Sequence, residues 1–127
     1  MEKSLNIQQM VDMTGLSAHT LRYYERIGLL RNIERNAQGH RIYAAQDVAW
    51  VEFLLRLRDT GMNIAGMQRF AELRSQGDAT ASERRQMLEQ HELQLQQQLA
   101  SLQDHLHNIG DKIQYYRQLE QQSVRQT

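Results

Sequence analysis

Apolar residues recur at helical spacing near the start of the chain, between residues that begin and end helices. Asn6 can cap a first helix, and Gly15 can adopt the left-handed conformation that ends it. A second short helix is predicted to begin after Ser17, another capping residue, and to end at Gly28. Two short helices joined by a tight turn with a glycine are typical of a helix-turn-helix.

The pattern changes between residues 29 and 43. Asn36, Gln38 and Gly39 form a polar, turn-forming group, and Arg41-Ile42-Tyr43 after it has the composition of a short strand. A two-stranded ribbon that follows a helix-turn-helix is a wing. The sequence therefore predicts a winged helix-turn-helix.

Helical periodicity returns after the predicted wing. A strongly periodic helix is expected over 46–60, with Gly61 at its end, and Asn63 can cap a further helix that closes near Gly77. The aromatic residues of this region, Trp50, Phe53 and Phe70, are interpreted mainly as core packing, with an effector-lining role as the alternative.

The last third of the chain has a seven-residue apolar repeat. Thr80-Ala81-Ser82-Glu83 has the form of a capping box, and the helix that follows is predicted to continue to about residue 121. Eight of the ten a and d positions between 88 and 120 are apolar. The predicted dimerisation residues are Leu88, Leu95, Leu99, Leu102, Leu106, Ile109, Ile113 and Tyr116. A long helix with one apolar stripe needs a partner helix, and a second copy of the chain is the simplest one.

These elements predict a mainly α-helical chain. Residues 1–77 are expected to form the winged helix-turn-helix with a helical extension, 78–121 a coiled-coil dimerisation helix, and 122–127 a flexible tail. Gly110, at an e position of the heptad, marks either a bend or close approach, or a tolerated exposed glycine.

Composition narrows the classes of function. The 127 residues include no cysteine, which excludes disulfides, thiolate metal sites and thiol-based sensing within this chain. The five histidines lack metal-ligand spacing, and no catalytic constellation is apparent, so we expect no metal, no cofactor and no enzyme activity. No transmembrane run or secretory signal is apparent, so the expected location is the cytoplasm, without membrane association.

Charge is unevenly distributed although the formal net charge is zero. Residues 17–43 include five arginines and two glutamates, whereas residues 78–127 include five basic and seven acidic residues. A basic segment followed by a mildly acidic one is consistent with one half of the chain meeting an anion.

The run from Thr20 to Leu30, Thr-Leu-Arg-Tyr-Tyr-Glu-Arg-Ile-Gly-Leu-Leu, carries the most informative chemistry. An arginine can pair with guanine or bridge phosphates, and a tyrosine hydroxyl can donate to a phosphate oxygen. Tyr23 and Tyr24 point about 100° apart on a helix, so we expect one to pack inward and the other outward.

This run, the preceding Asp12–Ser17 segment and the later Gly39-His40-Arg41-Ile42-Tyr43 resemble the DNA-binding signature of the MerR family. The resemblance covers roughly residues 5–74 in detail and the coil by architecture only. It implies a homodimeric transcription regulator on a pseudo-palindromic operator of double-stranded promoter DNA. Such regulators bend and undertwist an overlong promoter spacer, so RNA polymerase is an indirect partner through the shared promoter.

Carried over by position, Arg22 matches the recognition-helix arginine and His19 a variable position that often touches bases. Tyr24 matches a tyrosine that contacts the DNA backbone. His40 departs from the aromatic or aliphatic residue commoner at its position in the wing. The candidate DNA-binding residues are Ser17, His19, Thr20, Arg22, Tyr23, Tyr24, Arg35, His40, Arg41 and Tyr43.

Within the family, the chain is most similar to the aldehyde- and electrophile-responsive branch. That branch carries a reactive cysteine where this chain has Arg56, so any signal is expected to be non-covalent. Two alternatives remain open: an architectural or recombination-accessory DNA-binding protein, and a protein–protein module in which the coil alone is functional.

Overall fold

The computed structural model describes residues 4–125, which form five α-helices, one two-stranded ribbon and a single 3₁₀ turn. The elements in chain order are α1 (Ile7–Thr14), α2 (Ala18–Arg26), β1 (Glu34–Arg35), β2 (Arg41–Ile42), α3 (Ala45–Asp59), α4 (Ile64–Ser75), the 3₁₀ turn (Asp78–Thr80) and α5 (Ala81–Arg125). The mainly helical winged helix-turn-helix with a long C-terminal helix is thus confirmed.

Capping residues define the helix-turn-helix as predicted. The Asn6 side chain accepts from the backbone N–H of Gln9, and the Gln9 side chain accepts from that of Asn6, both at 2.8 Å. Gly15 ends α1 with a φ of 77°, a conformation that residues with a Cβ rarely adopt. The Ser17 hydroxyl then accepts from the Thr20 N–H at 3.1 Å to start α2.

The wing is an antiparallel ribbon of only two residues per strand. Glu34 lies opposite Ile42, and Arg35 lies opposite Arg41. Tyr43, predicted to continue the second strand, leaves the ribbon and forms an isolated bridge with Leu5, through two backbone hydrogen bonds of 2.8 Å. The base of the wing is therefore joined to the segment before α1.

The core lies between α1, α2, α3 and α4, where most of the buried apolar side chains meet. Trp50 and Phe70 are buried and stacked, with ring centroids 5.9 Å apart, and Phe53 packs against both rings. The predicted packing of this aromatic group is confirmed.

The capping box predicted at Thr80 is wrong. Thr80 is buried in the 3₁₀ turn, where its hydroxyl donates to the carbonyl oxygen of Leu73 and accepts from Arg84 Nε at 3.1 Å. Glu83, the expected partner in the box, forms an ion pair with Arg69 instead. A backbone carbonyl and an arginine side chain of α4 have replaced the local cap that the sequence pattern favoured.

Helix α5 has 45 residues and continues to Arg125, beyond the end predicted at about residue 121; residues 126 and 127 lie outside the described part. The flexibility predicted for 122–127 stays a prediction. Contacts divide the chain into two compact units between Glu89 and Gln90. Leu88 packs against the core of the first unit. The other seven predicted dimerisation residues, in the second unit, are 37–70% exposed. No helix within residues 4–125 is long and apolar enough to cross a lipid bilayer.

Candidate nucleic-acid interface

Helix α2 presents polar and cationic side chains to solvent along the face that does not pack on the core. Ser17, His19 and Arg22 are exposed, and Thr20 is half-buried. The backbone N–H and the hydroxyl of Thr20 both form hydrogen bonds with the Ser17 hydroxyl. Arg22 forms no ion pair with a carboxylate of residues 4–125, so its N–H donors stay available to an outside acceptor.

The two adjacent tyrosines point in different directions, as their spacing predicts. Tyr24 is buried, and its hydroxyl accepts from Arg58 Nη1 at 3.5 Å. Tyr23 is half-buried, and the guanidinium of Arg26 lies 5.4 Å from its ring centroid. The structure therefore makes Tyr24 a core residue, and Tyr23 is the tyrosine of the pair that reaches the surface.

Both predicted contact residues at the wing tip, Arg35 and His40, are exposed. The tip is rigidified by Asn36, whose side-chain oxygen accepts from the backbone N–H groups of Gln38 and His40, each at 3.0 Å. Gly39 turns the chain there with a φ of 81°. Arg35 Nη1 donates to the Gly39 carbonyl oxygen at 2.9 Å, which directs this guanidinium along the tip.

Arg41 has a partner that the sequence did not reveal. Its Nε donates to Glu25 Oε2 in an ion pair that joins β2 to α2. No local spacing marks the contact that forms, because the two residues are 16 positions apart.

Tyr43 is 1% exposed and belongs to the hydrophobic core, so we exclude it from the proposed DNA surface. Burial raises the pKa of its phenol, with a further rise from the Glu25 and Asp47 carboxylates and an opposing effect of Arg41 and Arg22. Tyr43 therefore belongs to the wing motif, but its side chain packs in the core at the base of the wing.

A shallow groove runs between the start of α1, α2 and the wing. It is lined by Arg22 from α2, by His40 and Arg41 from the wing, and by Gln8 at the start of α1. The structure thus brings together three predicted DNA-binding residues from separate segments and adds Gln8, which the sequence did not single out.

The turn that follows α2 is held by side chains from α3 and α4. Trp50 Nε1 donates to the Leu29 carbonyl oxygen at 2.8 Å, and Gln68 Nε2 donates to that of Ile27 at 2.9 Å. Arg31 Nε donates back to the Gly28 carbonyl oxygen at 3.0 Å, which stabilises the turn. These contacts fix the orientation of α2 on the core, and Trp50 and Gln68 are positioning residues that periodicity alone does not identify.

The surface formed by α2 and the wing has the chemistry of a nucleic-acid interface. It offers guanidinium, imidazole and hydroxyl groups on a helix and a hairpin, the two shapes that enter the grooves of DNA or follow its backbone. Within residues 4–125, no group of three or more histidines or carboxylates lies close enough together to hold a metal ion.

Comparison with known proteins identifies the family. Residues 5–73 match the model of the MerR HTH family regulatory proteins, and residues 48–111 match the model described as MerR, DNA binding. The chain belongs to the MerR family. Its mainly helical fold with a small wing is the DNA-binding fold of that family's transcriptional regulators.

Similar MerR-family proteins are transcriptional regulators from several bacteria. The HTH-type transcriptional regulator AdhR of Bacillus subtilis is 38% identical over 84 residues, which are 66% of this chain and 60% of that protein. An uncharacterised HTH-type regulator of Haemophilus influenzae is 36% identical over 102 residues, 80% of this chain and 76% of the relative. The chain thus spans less than two thirds of AdhR and about three quarters of the second relative.

Solved structures of MerR-family proteins have the same fold. The crystal structure of HiNmlR, a MerR family regulator lacking the sensor domain and bound to promoter DNA, matches with a TM-score of 0.72 and 34% identity over 82% of this chain and 79% of that one. A putative MerR family regulator from Listeria monocytogenes matches with a TM-score of 0.84 and 30% identity over 97% of this chain and 99% of that one.

Proposed function

We propose that this MerR-family protein is a sequence-specific transcription regulator that binds a pseudo-palindromic promoter operator as a homodimer. The observation that carries the proposal is the joint presentation of exposed Arg22 and His19 on α2 and of Arg35 and His40 on the wing. The promoter-DNA complex of the related HiNmlR supports it.

In this proposal α2 enters the major groove and the wing follows the phosphate backbone. Arg22 reads a base edge or bridges phosphates, and His19 meets the neighbouring bases. Ser17, Thr20 and Tyr23 lie along the same helix as further candidates, and Arg35 and His40 meet phosphates from the wing tip. Arg41 contributes through its position in the wing, and Tyr24 and Tyr43 contribute through the core.

The homodimer accounts for the exposed apolar stripe of α5. Leu95, Leu99, Leu102, Leu106, Ile109, Ile113 and Tyr116 lie at heptad positions and are exposed in the single chain. A second copy would cover them and would hold two recognition helices at a fixed separation. A two-fold symmetric protein then requires a pseudo-palindromic DNA site.

The proposed mode of action is distortion of an overlong promoter spacer, which aligns the two promoter elements for RNA polymerase. DNA deformation of this kind costs a few kcal/mol, which specific contacts at two half-sites can offset. The proposal needs no catalytic step and no cofactor.

Substitution of Arg22 tests the interface. We expect Arg22→Ala to weaken binding to the promoter of the protein's own gene by about tenfold or more, because a bidentate base contact contributes roughly 1–3 kcal/mol. Arg85→Ala, which removes an exposed arginine paired with Glu89 on α5, is the matched control and should leave the dissociation constant unchanged. Equal effects of both substitutions would contradict the proposed interface.

Transcription from a promoter series tests the proposed mode of action. Activation should appear at an overlong spacer and disappear when the spacer is shortened to the length that polymerase prefers. DNA binding without any effect on transcription from either promoter would favour an architectural or recombination-accessory role.

A further inference from the structure

The wing has few interactions of its own that hold it in place. Each strand contributes two residues to the ribbon, and hairpins of this size have marginal stability in water. The bridge between Leu5 and Tyr43 anchors the base of the wing but not its tip. The orientation of the tip therefore depends on side-chain contacts with the rest of the domain.

Two like charges also face each other across the ribbon. Arg35 and Arg41 are directly paired in the antiparallel register, an arrangement that destabilises a hairpin. The structure directs their guanidinium groups to different acceptors. Arg35 bonds to the Gly39 carbonyl oxygen at the tip, and Arg41 bonds to the Glu25 carboxylate on α2.

The Glu25–Arg41 pair is well placed to act as a clamp. The Arg41 and Glu25 side chains are 22% and 26% exposed, so solvent and salt screen their attraction less than they screen the pairs at the surface. Among the ion pairs within residues 4–125, this one joins the wing to another element, while the others lie within a helix or between α4 and α5.

We propose that Glu25 is a positioning residue for DNA binding, which holds Arg41 and thereby clamps the wing to the recognition helix. The clamp sets the separation between Arg22 on α2 and Arg35 on the wing. Arg41 then acts through Glu25 and makes no phosphate contact of its own. This inference rests on the proposed function, since it assigns roles within the same DNA surface.

The alternative is that Glu25 competes with DNA for Arg41. A carboxylate beside the DNA surface repels phosphates, so its removal favours binding unless the carboxylate has a positioning role. The two cases therefore differ in the sign of the effect that Glu25→Gln has on affinity.

The first experiment measures dissociation constants on the promoter DNA of the protein's own gene at several KCl concentrations. We expect Glu25→Gln and Arg41→Gln each to weaken binding about threefold or more, with the slope of log K against log[salt] unchanged. The double variant should be no weaker than either single variant, because both remove the same clamp. Arg35→Gln is the control for a phosphate contact, and its slope should fall in magnitude by about 0.9.

Two results of this titration would overturn the inference. One is tighter binding by Glu25→Gln with a slope steeper by about 0.9, which would identify Arg41 as a phosphate contact that Glu25 restrains. The other is a slope reduced by about the same amount in Arg41→Gln.

A second experiment needs no DNA and separates the clamp from the proposed function. Hydrogen exchange of the wing amides, residues 34–42, should be about threefold faster in Glu25→Gln and Arg41→Gln than in the unsubstituted protein. Arg85→Gln, which breaks the surface pair with Glu89, should leave the wing amides unchanged. Unchanged exchange in the two clamp variants would overturn the inference even if operator binding is specific. Absence of specific DNA binding by the unsubstituted protein would contradict the proposed function. The hydrogen-exchange result would then test by itself whether the Glu25–Arg41 pair holds the wing in place.

Discussion

At the scale of single residues, the side chains of the wing motif divide into those that face outward and those that support the surface from within. Arg35 and His40 are exposed, Arg41 turns to Glu25, and Tyr43 is buried. Both residues of β1 are exposed and both residues of β2 are half-buried, so adjacent positions of the motif differ in exposure because of their contacts with the rest of the domain. The motif marks the wing, and burial decides which of its residues can meet DNA.

The buried phenol of Tyr43 gives stability a pH dependence with a definite sign. Its pKa is raised above the ordinary 10.0 mainly by burial. Below pH 10 the group is protonated in the folded and the unfolded chain, so its contribution is constant. Above pH 10 the unfolded chain loses the proton first, so the free energy of unfolding falls as pH rises towards the folded-state pKa.

Urea unfolding between pH 8 and pH 11 measures this effect. We expect Tyr43→Phe to reduce the loss of stability above pH 10, because it removes the group that titrates differently in the two states. Tyr115→Phe on α5, where the ring is exposed, is the control and should follow the unsubstituted protein. An identical pH profile for Tyr43→Phe and the unsubstituted protein would show that another group determines the alkaline loss.

At the scale of the elements, the sequence predicted those helix boundaries that depend on interactions between residues close together in the chain. Asn6, Ser17 and Asn63 cap helices through contacts three residues away, and each was predictable from residue type. The seven-residue repeat likewise identified α5, because the apolar spacing is visible along the chain without knowledge of tertiary contacts. Thr80 was mispredicted because its hydroxyl bonds to the Leu73 carbonyl oxygen on α4 and to the Arg84 side chain, and not to the backbone at the start of α5.

The candidate site shows the same division. The exposure of Arg22 and His19 follows from their positions on a short amphipathic helix, and that of Arg35 and His40 from their positions at the tip of a small hairpin. The Glu25–Arg41 pair and the bridge between Leu5 and Tyr43 join distant segments, and no spacing along the chain encodes them. The sequence therefore predicted the surface and its chemistry but not the contacts that hold the wing in place.

Gly110 lies within α5, where a glycine normally weakens a helix. A Cβ at this position would meet no atom within 4 Å, and α5 is a continuous helix from Ala81 to Arg125. We therefore expect Gly110→Ala to raise the free energy of unfolding by about 1 kcal/mol. Thermal unfolding at fixed protein concentration measures the change.

Gly15→Ala provides the contrasting control. Gly15 has a φ of 77°, a conformation that strains any residue with a Cβ, so this substitution should lower the free energy of unfolding. Destabilisation by Gly110→Ala as well would contradict the view that this position has room for a Cβ. It would indicate that a partner helix passes close to this position.

At the scale of the whole molecule, the proposed homodimer connects the coil to DNA recognition. Lysine at Leu102 and Ile109 would place charges on the apolar stripe, and we expect this double variant to sediment as a monomer. Its operator affinity should fall steeply, because two half-sites can no longer be bound by one linked molecule. Lysine at Gln97 and Gln114, which lie outside the a and d positions, adds the same charge and should leave the dimer intact. An intact dimer in the Leu102→Lys, Ile109→Lys variant would contradict the heptad assignment.

The most direct test of the account is a salt titration of the purified protein on the promoter DNA that flanks its own gene, with random DNA of equal length beside it. The account predicts a complex of two chains per palindromic site, with affinity that falls steeply with salt and exceeds the affinity for random DNA by about 10³-fold or more. Weak binding that is equal on both DNAs would contradict the proposed operator recognition at this promoter and would favour the architectural or protein–protein alternatives.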